Sequence, residues 1–283
     1  PLLLGFGCSV PAILSTRRIE TRSDRLVTIA VLPMMSCAGR LPIYMMFVSA
    51  LFPSRLQAPV LFGIYASGVL LALCCARLLK NTLFKAPQRD SLHHMKRLRL
   101  PSLRKVGILM WSRAFMYVRK AGTFILGASI ILWFLNTYPR PEEDTAPTNA
   151  AAMEHSYAGQ IGHWMEPVTQ VAGFDWKINS ALVGAFAAKE IFVTQMGILY
   201  AVEDGNSGPA AQQTLNARLK ASYTPLQGIS IMIFCLIALP CIGTVTVAKR
   251  EAGTWWFALA QFGGLTLLGF ATATLIYQAG LLL

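Results

Sequence analysis

Three cysteines lie where glycine and proline interrupt apolar sequence. The interruptions are Gly5-Phe6-Gly7-Cys8-Ser9-Val10-Pro11, Pro33-Met34-Met35-Ser36-Cys37-Ala38-Gly39-Arg40-Leu41-Pro42 and Leu239-Pro240-Cys241-Ile242-Gly243. Glycine and proline both disfavour a regular helix. A broken helix at membrane depth offers main-chain carbonyls to an ion, and sulfur is a soft donor that suits transition metals. A lone membrane cysteine is usually a small apolar filler, so only the recurrence at three breaks favours a metal path.

The other cysteines carry less information. Cys74 and Cys75 lie in an otherwise regular apolar stretch, and Cys235 lies in an apolar run. We predict structural roles for these three. No cysteine lies in the acidic segment 141–176, so no disulfide is expected there.

Charged residues within apolar sequence form a second set of candidates, because a charge at membrane depth is costly and often functional. Lys189-Glu190 and Arg40 are such residues. Two interpretations of Lys189-Glu190 stay open, a functional role and a pair that only holds a turn together. Arg40 has the further alternative of pairing with Glu190. His155 and His163 lie near acidic residues, but we favour solvation over cation binding for them.

The composition indicates the elements that position these residues. The chain is 54% hydrophobic and 13% charged, whereas soluble domains carry about 25% charged residues. Four stretches contain no charge, each long enough to cross a membrane as a helix. They are residues 56–76, 121–139, 221–248 and 252–283. We therefore predict an all-α, polytopic membrane domain with broken or re-entrant gate helices.

The net charge of +12 is concentrated in one segment, since residues 77–120 hold twelve Lys or Arg and one acid. Residues 141–176 hold six acids and no Lys or Arg. By the positive-inside rule the basic segment is cytoplasmic and the acidic segment faces outward. The basic segment therefore indicates contact with anionic lipid headgroups, and no nucleic-acid partner is expected.

Residues 178–200 can be interpreted as a span or as a re-entrant segment. A span would place Lys249-Arg250 outside, against the positive-inside rule, whereas a re-entrant segment places them inside and the C-terminal end outside. We favour the re-entrant form. Residues 101–120 mix apolar and basic side chains, which predicts an interfacial helix that feeds the next span.

These patterns divide the chain into four parts. The predicted divisions are 1–83 (first gate segment and following helices), 84–120 (basic connector with interfacial helix), 121–202 (second gate segment with the acidic outer loop) and 203–283 (C-terminal transmembrane helices). The chain begins at Pro1 and not at a methionine. We therefore expect it to be part of a longer permease.

Four motifs in this order resemble the membrane region of the bacterial ferrous iron transport protein B family. They are the segment around Cys8, Met35-Ser36-Cys37-Ala38-Gly39-Arg40-Leu41-Pro42, Ala188-Lys189-Glu190, and Pro240-Cys241 followed by Lys249-Arg250-Glu251. The resemblance runs through nearly all of the chain. It implies that the segments around Cys8 and Lys189 are paired gates, and that Cys8, Cys37 and Cys241 lie along the iron path.

The resemblance also shows departures. The family usually has Asn where this chain has Ser9, which is a shorter oxygen donor. Family members carry an N-terminal GTPase domain, but this chain has no G-x-x-x-x-G-K-[ST] motif to bind a nucleotide phosphate. A final span and a cytoplasmic tail of the family are also expected to be missing. We therefore expect no enzyme activity and no bound cofactor in this chain, with GTP used only by the GTPase domain.

The expected function is transport of Fe²⁺ into the cytoplasm across the bacterial inner membrane. Cys8, Cys37 and Cys241 would be successive soft ligands, with Ser9, Ser36 and exposed carbonyls as oxygen donors. The expected partners are ferrous iron, lipid headgroups, the GTPase domain and small cytoplasmic accessory proteins, and self-association stays open. The alternative is a gate-type permease for another solute, either another divalent metal or a nucleoside.

Overall fold

The computed structural model describes residues 1–83, 102–139, 154–200 and 209–282. Within these ranges the chain forms helices and no strand. The helices are α1 Leu2–Gly5, α2 Ser9–Ser15, α3 Arg22–Val31, α4 Leu41–Leu51, α5 Ser54–Thr82, α6 Leu103–Thr137, α7 Tyr157–Thr169, α8 Trp176–Ala187, α9 Lys189–Tyr200, α10 Pro209–Ser222, α11 Pro225–Ile237, α12 Ile242–Ala252 and α13 Trp255–Leu282. Residues 84–101 of the predicted basic connector and residues 140–153 of the predicted acidic loop lie outside the described ranges.

Four helical segments of the described chain are long and apolar enough to cross a membrane. Two are continuous, Ser54–Thr82 and Trp255–Leu282, and two are interrupted, Arg22–Leu51 and Pro225–Ala252. The apolar windows of the interrupted segments are 56% and 61% buried, whereas those of the continuous segments are 17% buried. The broken helices therefore lie inside the bundle and the continuous helices lie at its periphery. This confirms the predicted all-α polytopic membrane fold.

Helix α6 covers both the interfacial helix predicted over residues 101–120 and the span that it was predicted to feed. Leu103–Thr137 is one helix of 35 residues, which is about 52 Å long at 1.5 Å per residue. No proline lies within it to end the helix. The basic, amphipathic part and the apolar part thus belong to one continuous helix.

Residues 178–200 form a hairpin that does not span. Helix α8 runs from Trp176 to Ala187, Ala188 is extended, and α9 returns to Tyr200. The two ends of the hairpin meet at Tyr223, because the Tyr200 hydroxyl donates to the Tyr223 hydroxyl at 3.0 Å and the Tyr223 hydroxyl donates to Asp175 at 2.9 Å. The re-entrant form that we favoured is therefore the one the structure has.

At the end of the bundle opposite Tyr223, ion pairs join the N-terminal segment to the ends of two spans. Arg17 and Arg25 both bind the carboxylate of Glu251, and Lys80 Nζ lies 2.9 Å from Asp24. Glu251 directly follows Lys249-Arg250. Lys249 and Arg250 thus lie at the same end of the bundle as Arg17 and Lys80. This is the end that the positive-inside rule predicts to be cytoplasmic.

The apolar core fills the space between the broken helices and the hairpin. Phe47 of α4 contacts Phe192 of α9 and Tyr223, with ring centroids 6.2 and 6.3 Å apart. A smaller buried cluster lies where α2, α3 and α12 meet and contains Ile13, Ile29 and Ala248. The two clusters hold the interrupted segments against one another.

Candidate functional site

The first break separates α1 from α2. Cys8 is extended and precedes α2, whose first residue, Ser9, is buried. Gly5 is also buried, and a Cβ at this position would lie 3.0 Å from the Cβ of Met35. The carbonyl of Gly7 accepts a hydrogen bond from the amide of Ala38 at 3.2 Å. The first break is therefore joined to the second through main-chain atoms.

The second break lies between α3 and α4. Met35 and Cys37 are extended between two 3₁₀ turns, Leu32–Met34 and Ala38–Arg40. Such a break leaves carbonyls without helical partners. The guanidinium of Arg40 satisfies two of them, because Nη1 donates to Pro33 O at 2.7 Å and to Met35 O at 3.1 Å. Arg40 is thus a main-chain brace for the break, at 2% exposure.

The third break lies between α11 and α12. Ala238 is extended, and Leu239 has a φ of 54°. This left-handed conformation costs a residue with a Cβ about 1–2 kcal/mol, and such strain concentrates at functional sites. Cys241 then precedes α12, and its Sγ lies 3.1 Å from Thr244 Oγ1.

The hairpin turn meets the second and third breaks. Lys189 Nζ donates to the carbonyl of Ala238 at 3.4 Å, and Arg40 Nη2 donates to the same carbonyl at 3.4 Å. A Cβ on Gly39 would lie 2.9 Å from Glu190 Oε1 and 3.6 Å from Lys189 Cβ. Four segments that are far apart in sequence therefore converge on one region of the bundle.

The predicted donor residues differ in their exposure. Cys8, Cys37 and Cys241 are half-buried, and the serines next to two of them, Ser9 and Ser36, are buried. The Ser36 hydroxyl lies 3.4 Å from the Tyr44 hydroxyl. No group of three or more His, Cys, Asp or Glu that could hold a metal ion occurs among the described residues. A closed cage of side chains is thus not found in this part of the chain.

The alternative that Arg40 pairs with Glu190 is wrong. The Arg40 guanidinium is bound to three carbonyls, while Glu190 is exposed and takes part in none of the ion pairs between described residues. The guanidinium binds these carbonyls in place of the Glu190 carboxylate, because the breaks leave the carbonyls without helical partners close to it. For Lys189, the main chain is likewise the hydrogen-bond partner.

Sequence reasoning missed two participants. Cys235, to which we gave a structural role, is buried on α11 three residues before Ala238, whose carbonyl binds Lys189 and Arg40. The second participant is the main-chain carbonyl of Ala238, and an alanine side chain gives no indication of such a role. Only the following Leu239-Pro240 indicated an irregular backbone. Glu251 was noted as part of a motif, but its two arginine partners lie more than 220 positions away.

The outer histidine is bound within the fold. His163 Nδ1 lies 3.2 Å from Glu166 Oε2, Nε2 lies 3.6 Å from Glu154 Oε1, and the ring stacks on Trp176. His163 therefore helps to join α7 to the start of the hairpin. His155 is exposed, as we expected.

Two family models match the chain. The model for the C terminus of ferrous iron transport protein B matches residues 61–113, and the Gate model, described as nucleoside recognition, matches residues 118–255. The Fe(2+) transporter FeoB of Campylobacter jejuni is 37% identical over 93% of this chain, and that of Methanocaldococcus jannaschii is 35% identical over all of it. This chain belongs to the ferrous iron transport protein B family.

The family match confirms the resemblance of the four motifs. A third relative, the Fe(2+) transport protein A/Fe(2+) transporter FeoB fusion protein of Porphyromonas gingivalis, is 36% identical over the whole chain. The chain spans 37–43% of the length of these three relatives. The match to the C-terminus model indicates that it corresponds to the C-terminal membrane region of the family. No solved structure matches the chain. The residues that the Gate model matches include α8, α9 and the third break.

Proposed function

We propose that this chain is the permease region of a GTPase-coupled transporter that moves Fe²⁺ into the cytoplasm across the bacterial inner membrane. The observation that supports this most is the convergence of three cysteine-bearing breaks and a re-entrant turn within the bundle. Relatives that match nearly the whole chain are named as Fe(2+) transporters.

The chemistry of the breaks suits a transported ferrous ion. Cys8, Cys37 and Cys241 offer soft donors, and Ser9, Ser36 and main-chain carbonyls offer oxygen. Transport needs sites that replace the hydration shell of an ion and still release it. Donors spread over several breaks satisfy this requirement better than a tight tetrahedral site, which would retain the metal.

Other components follow from the same proposal. We infer that the chain holds no resident cofactor and hydrolyses no GTP, and that GTP is used by a separate domain of the full-length protein. A small accessory protein is a further partner, since one relative is a fusion with Fe(2+) transport protein A. Anionic headgroups would bind the basic segment 77–120. A second copy of the chain is a further candidate partner.

Uptake measurements test the proposed function. In the full-length protein, Cys8→Ser, Cys37→Ser and Cys241→Ser should each lower the rate of ⁵⁵Fe²⁺ uptake by cells at least several-fold, because serine loses the soft donor. Cys74→Ser is the matched control, because Cys74 is exposed on the peripheral helix α5. Wild-type uptake in all three variants would refute the cysteine path.

The alternative solutes are separated by competition. Excess Mn²⁺, Zn²⁺ or a nucleoside is added to reconstituted protein during ⁵⁵Fe²⁺ uptake. The nucleoside is not favoured, because the breaks present thiols and carbonyls in place of aromatic and amide groups, and because the curated relatives are named for Fe(2+). Inhibition by the nucleoside alone would reverse this assignment.

A further inference from the structure

Lys189 is a buried cation with little to hold it. Its side chain is 5% exposed, and the hydrogen bond that binds its ammonium is a long one, 3.4 Å to Ala238 O. An ammonium has three protons to donate, and burying it without full compensation is costly. Arg40, in contrast, is anchored by bonds of 2.7 and 3.1 Å to the second break. Of the two cations, Lys189 is therefore held by the weaker set of hydrogen bonds.

The surroundings of Lys189 are those of a cation site. The Ala238 carbonyl that its ammonium binds also accepts a hydrogen bond from Arg40 Nη2 at 3.4 Å, so one oxygen binds two cations. Cys37 directly precedes the 3₁₀ turn that ends at Arg40, and Cys235 and Cys241 lie three residues before and after Ala238. The carboxylate of its neighbour Glu190 is exposed beside Gly39, and Lys189 takes part in no ion pair between described residues. The ammonium is therefore bound to a carbonyl of a break that also carries Cys241, and carbonyls, Cys37 and Cys241 are groups that the proposed function assigns to the transported ion.

We propose that the Lys189 ammonium is a tethered cation that occupies the divalent-ion position at the Ala238 carbonyl, so that ammonium and ion bind there in alternation. This inference rests on the proposed function. It adds a residue that controls how long the ion occupies this position and when the ion is released. Arrival of the ion at the cysteines of the second and third breaks, Cys37 and Cys241, displaces the ammonium by repulsion. Return of the ammonium to the carbonyl then promotes release, so the bound ion does not become trapped.

The position of Lys189 makes such movement physically reasonable. It is the first residue of α9, directly after the extended Ala188 at the hairpin turn. A lysine stem has four carbons and rotates freely, whereas the guanidinium of Arg40 is a rigid fork held on several carbonyls. The ammonium can therefore leave Ala238 without disturbing the second break.

The test compares charge at one position. Lys189→Met removes the charge and keeps a flexible apolar stem, while Lys189→Arg retains the charge. Lys177→Met is the matched control, because Lys177 lies on the same hairpin with its ammonium 4.6 Å from the centre of the Tyr200 ring, at the far end. The full-length proteins are purified in lipid nanodiscs and titrated with Co²⁺ without oxygen, and cobalt–thiolate absorption reports binding.

We expect Lys189→Met to bind Co²⁺ at least tenfold more tightly than the wild type, because no internal cation competes. Lys189→Arg and Lys177→Met should stay within about threefold of the wild type. Equal affinity of Lys189→Met and wild type, with Co²⁺ bound in both, would overturn the tethered cation and leave the proposed function intact. Absence of both Co²⁺ binding and ⁵⁵Fe²⁺ uptake in the wild type would overturn the proposed function itself.

A second variant guards against misfolding. Gel filtration checks each protein before titration, and Lys189→Gln replaces Lys189→Met if the latter aggregates. Glutamine removes the charge and can still donate to Ala238 O, so it should also bind Co²⁺ more tightly. In uptake measurements, the neutral variants should show a lower half-saturating Fe²⁺ concentration and a lower maximal rate. A lower rate with unchanged half-saturation would count against the inference.

Discussion

At the scale of single residues, the buried cations Arg40 and Lys189 bond to the main chain where helices are interrupted. Arg40 shows the principle, since its guanidinium donates to Pro33 O, Met35 O and Ala238 O, which belong to two different breaks. In a membrane no water is available to satisfy such carbonyls. A buried cation that satisfies them offsets part of the cost of the irregular backbone and of its own burial at once, although Arg40 Nε is buried without a hydrogen-bond partner. The break and the charge therefore depend on each other.

Asp175 is a residue for which the structure predicts a pH effect. Burial raises the pKa of its carboxyl above the ordinary value, with a smaller contribution from Glu166, although the Ile178 amide, the Tyr223 hydroxyl and Lys177 oppose the rise. The folded protein thus binds this proton more tightly than the unfolded chain. Stability from this group is fully present below the unfolded pKa of about 4 and is lost as the pH rises through the folded pKa.

We therefore expect Asp175→Asn to become more stable relative to the wild type as the pH rises from about 4 to about 7. Thermal unfolding in detergent across this range measures the difference. Glu154→Gln, at an exposed carboxylate of the same outer region, is the control and should follow the wild type apart from its contact with His163. Parallel curves for Asp175→Asn and wild type would show that the Asp175 pKa is not raised.

At the scale of elements, close approach of helices and ion pairs between their ends position the gates. Gly162 lets α7 approach α8, because a Cβ there would lie 2.5 Å from the carbonyl oxygen of Trp176. At the opposite end, the N-terminal segment is tied to α12 by Glu251, whose side chain is 2% exposed and receives Arg17 and Arg25. The first and third breaks are thereby held in register.

Loss of the Glu251 carboxylate should weaken this connection. We expect Glu251→Gln to lower the free energy of unfolding by about 2 kcal/mol, because it removes charged hydrogen bonds to two arginines. Arg250→Gln is the control, since Arg250 is exposed and lies 3.6 Å from Glu251, and such surface pairs contribute at most about 1 kcal/mol. Chemical denaturation in detergent measures both, and equal effects would contradict a special role for the buried carboxylate.

At the scale of the whole molecule, the two ends of the bundle carry different groups. Arg17, Lys80 and Glu251 lie at one end, whereas Asp175, Tyr200 and Tyr223 lie at the other. Helix α13 runs between them, because Gln278 near its end donates to Val171 O at 2.8 Å. By the positive-inside rule, the end with Arg17 and Lys80 is cytoplasmic.

Labelling of cells tests this orientation. In a chain whose six cysteines are replaced by alanine, Gln278→Cys should react with a membrane-impermeant maleimide applied to spheroplasts. Arg250→Cys should react only after the membrane is permeabilised, since Arg250 lies at the cytoplasmic end and is exposed. Reaction of Arg250→Cys from outside, with Gln278→Cys protected until the membrane is permeabilised, would mean that residues 178–200 cross the membrane, contrary to the hairpin.

The sequence by itself determined the class of the protein, the places where helices break and the end of the bundle that carries the basic residues. These are local properties, since composition, glycine, proline and charge act over a few residues. Only the tertiary structure decided that residues 178–200 form a hairpin, that Arg40 binds carbonyls and not Glu190, and that Lys189 reaches Ala238. Each of these contacts joins distant segments, so it depends on how the broken helices pack, which no local pattern specifies.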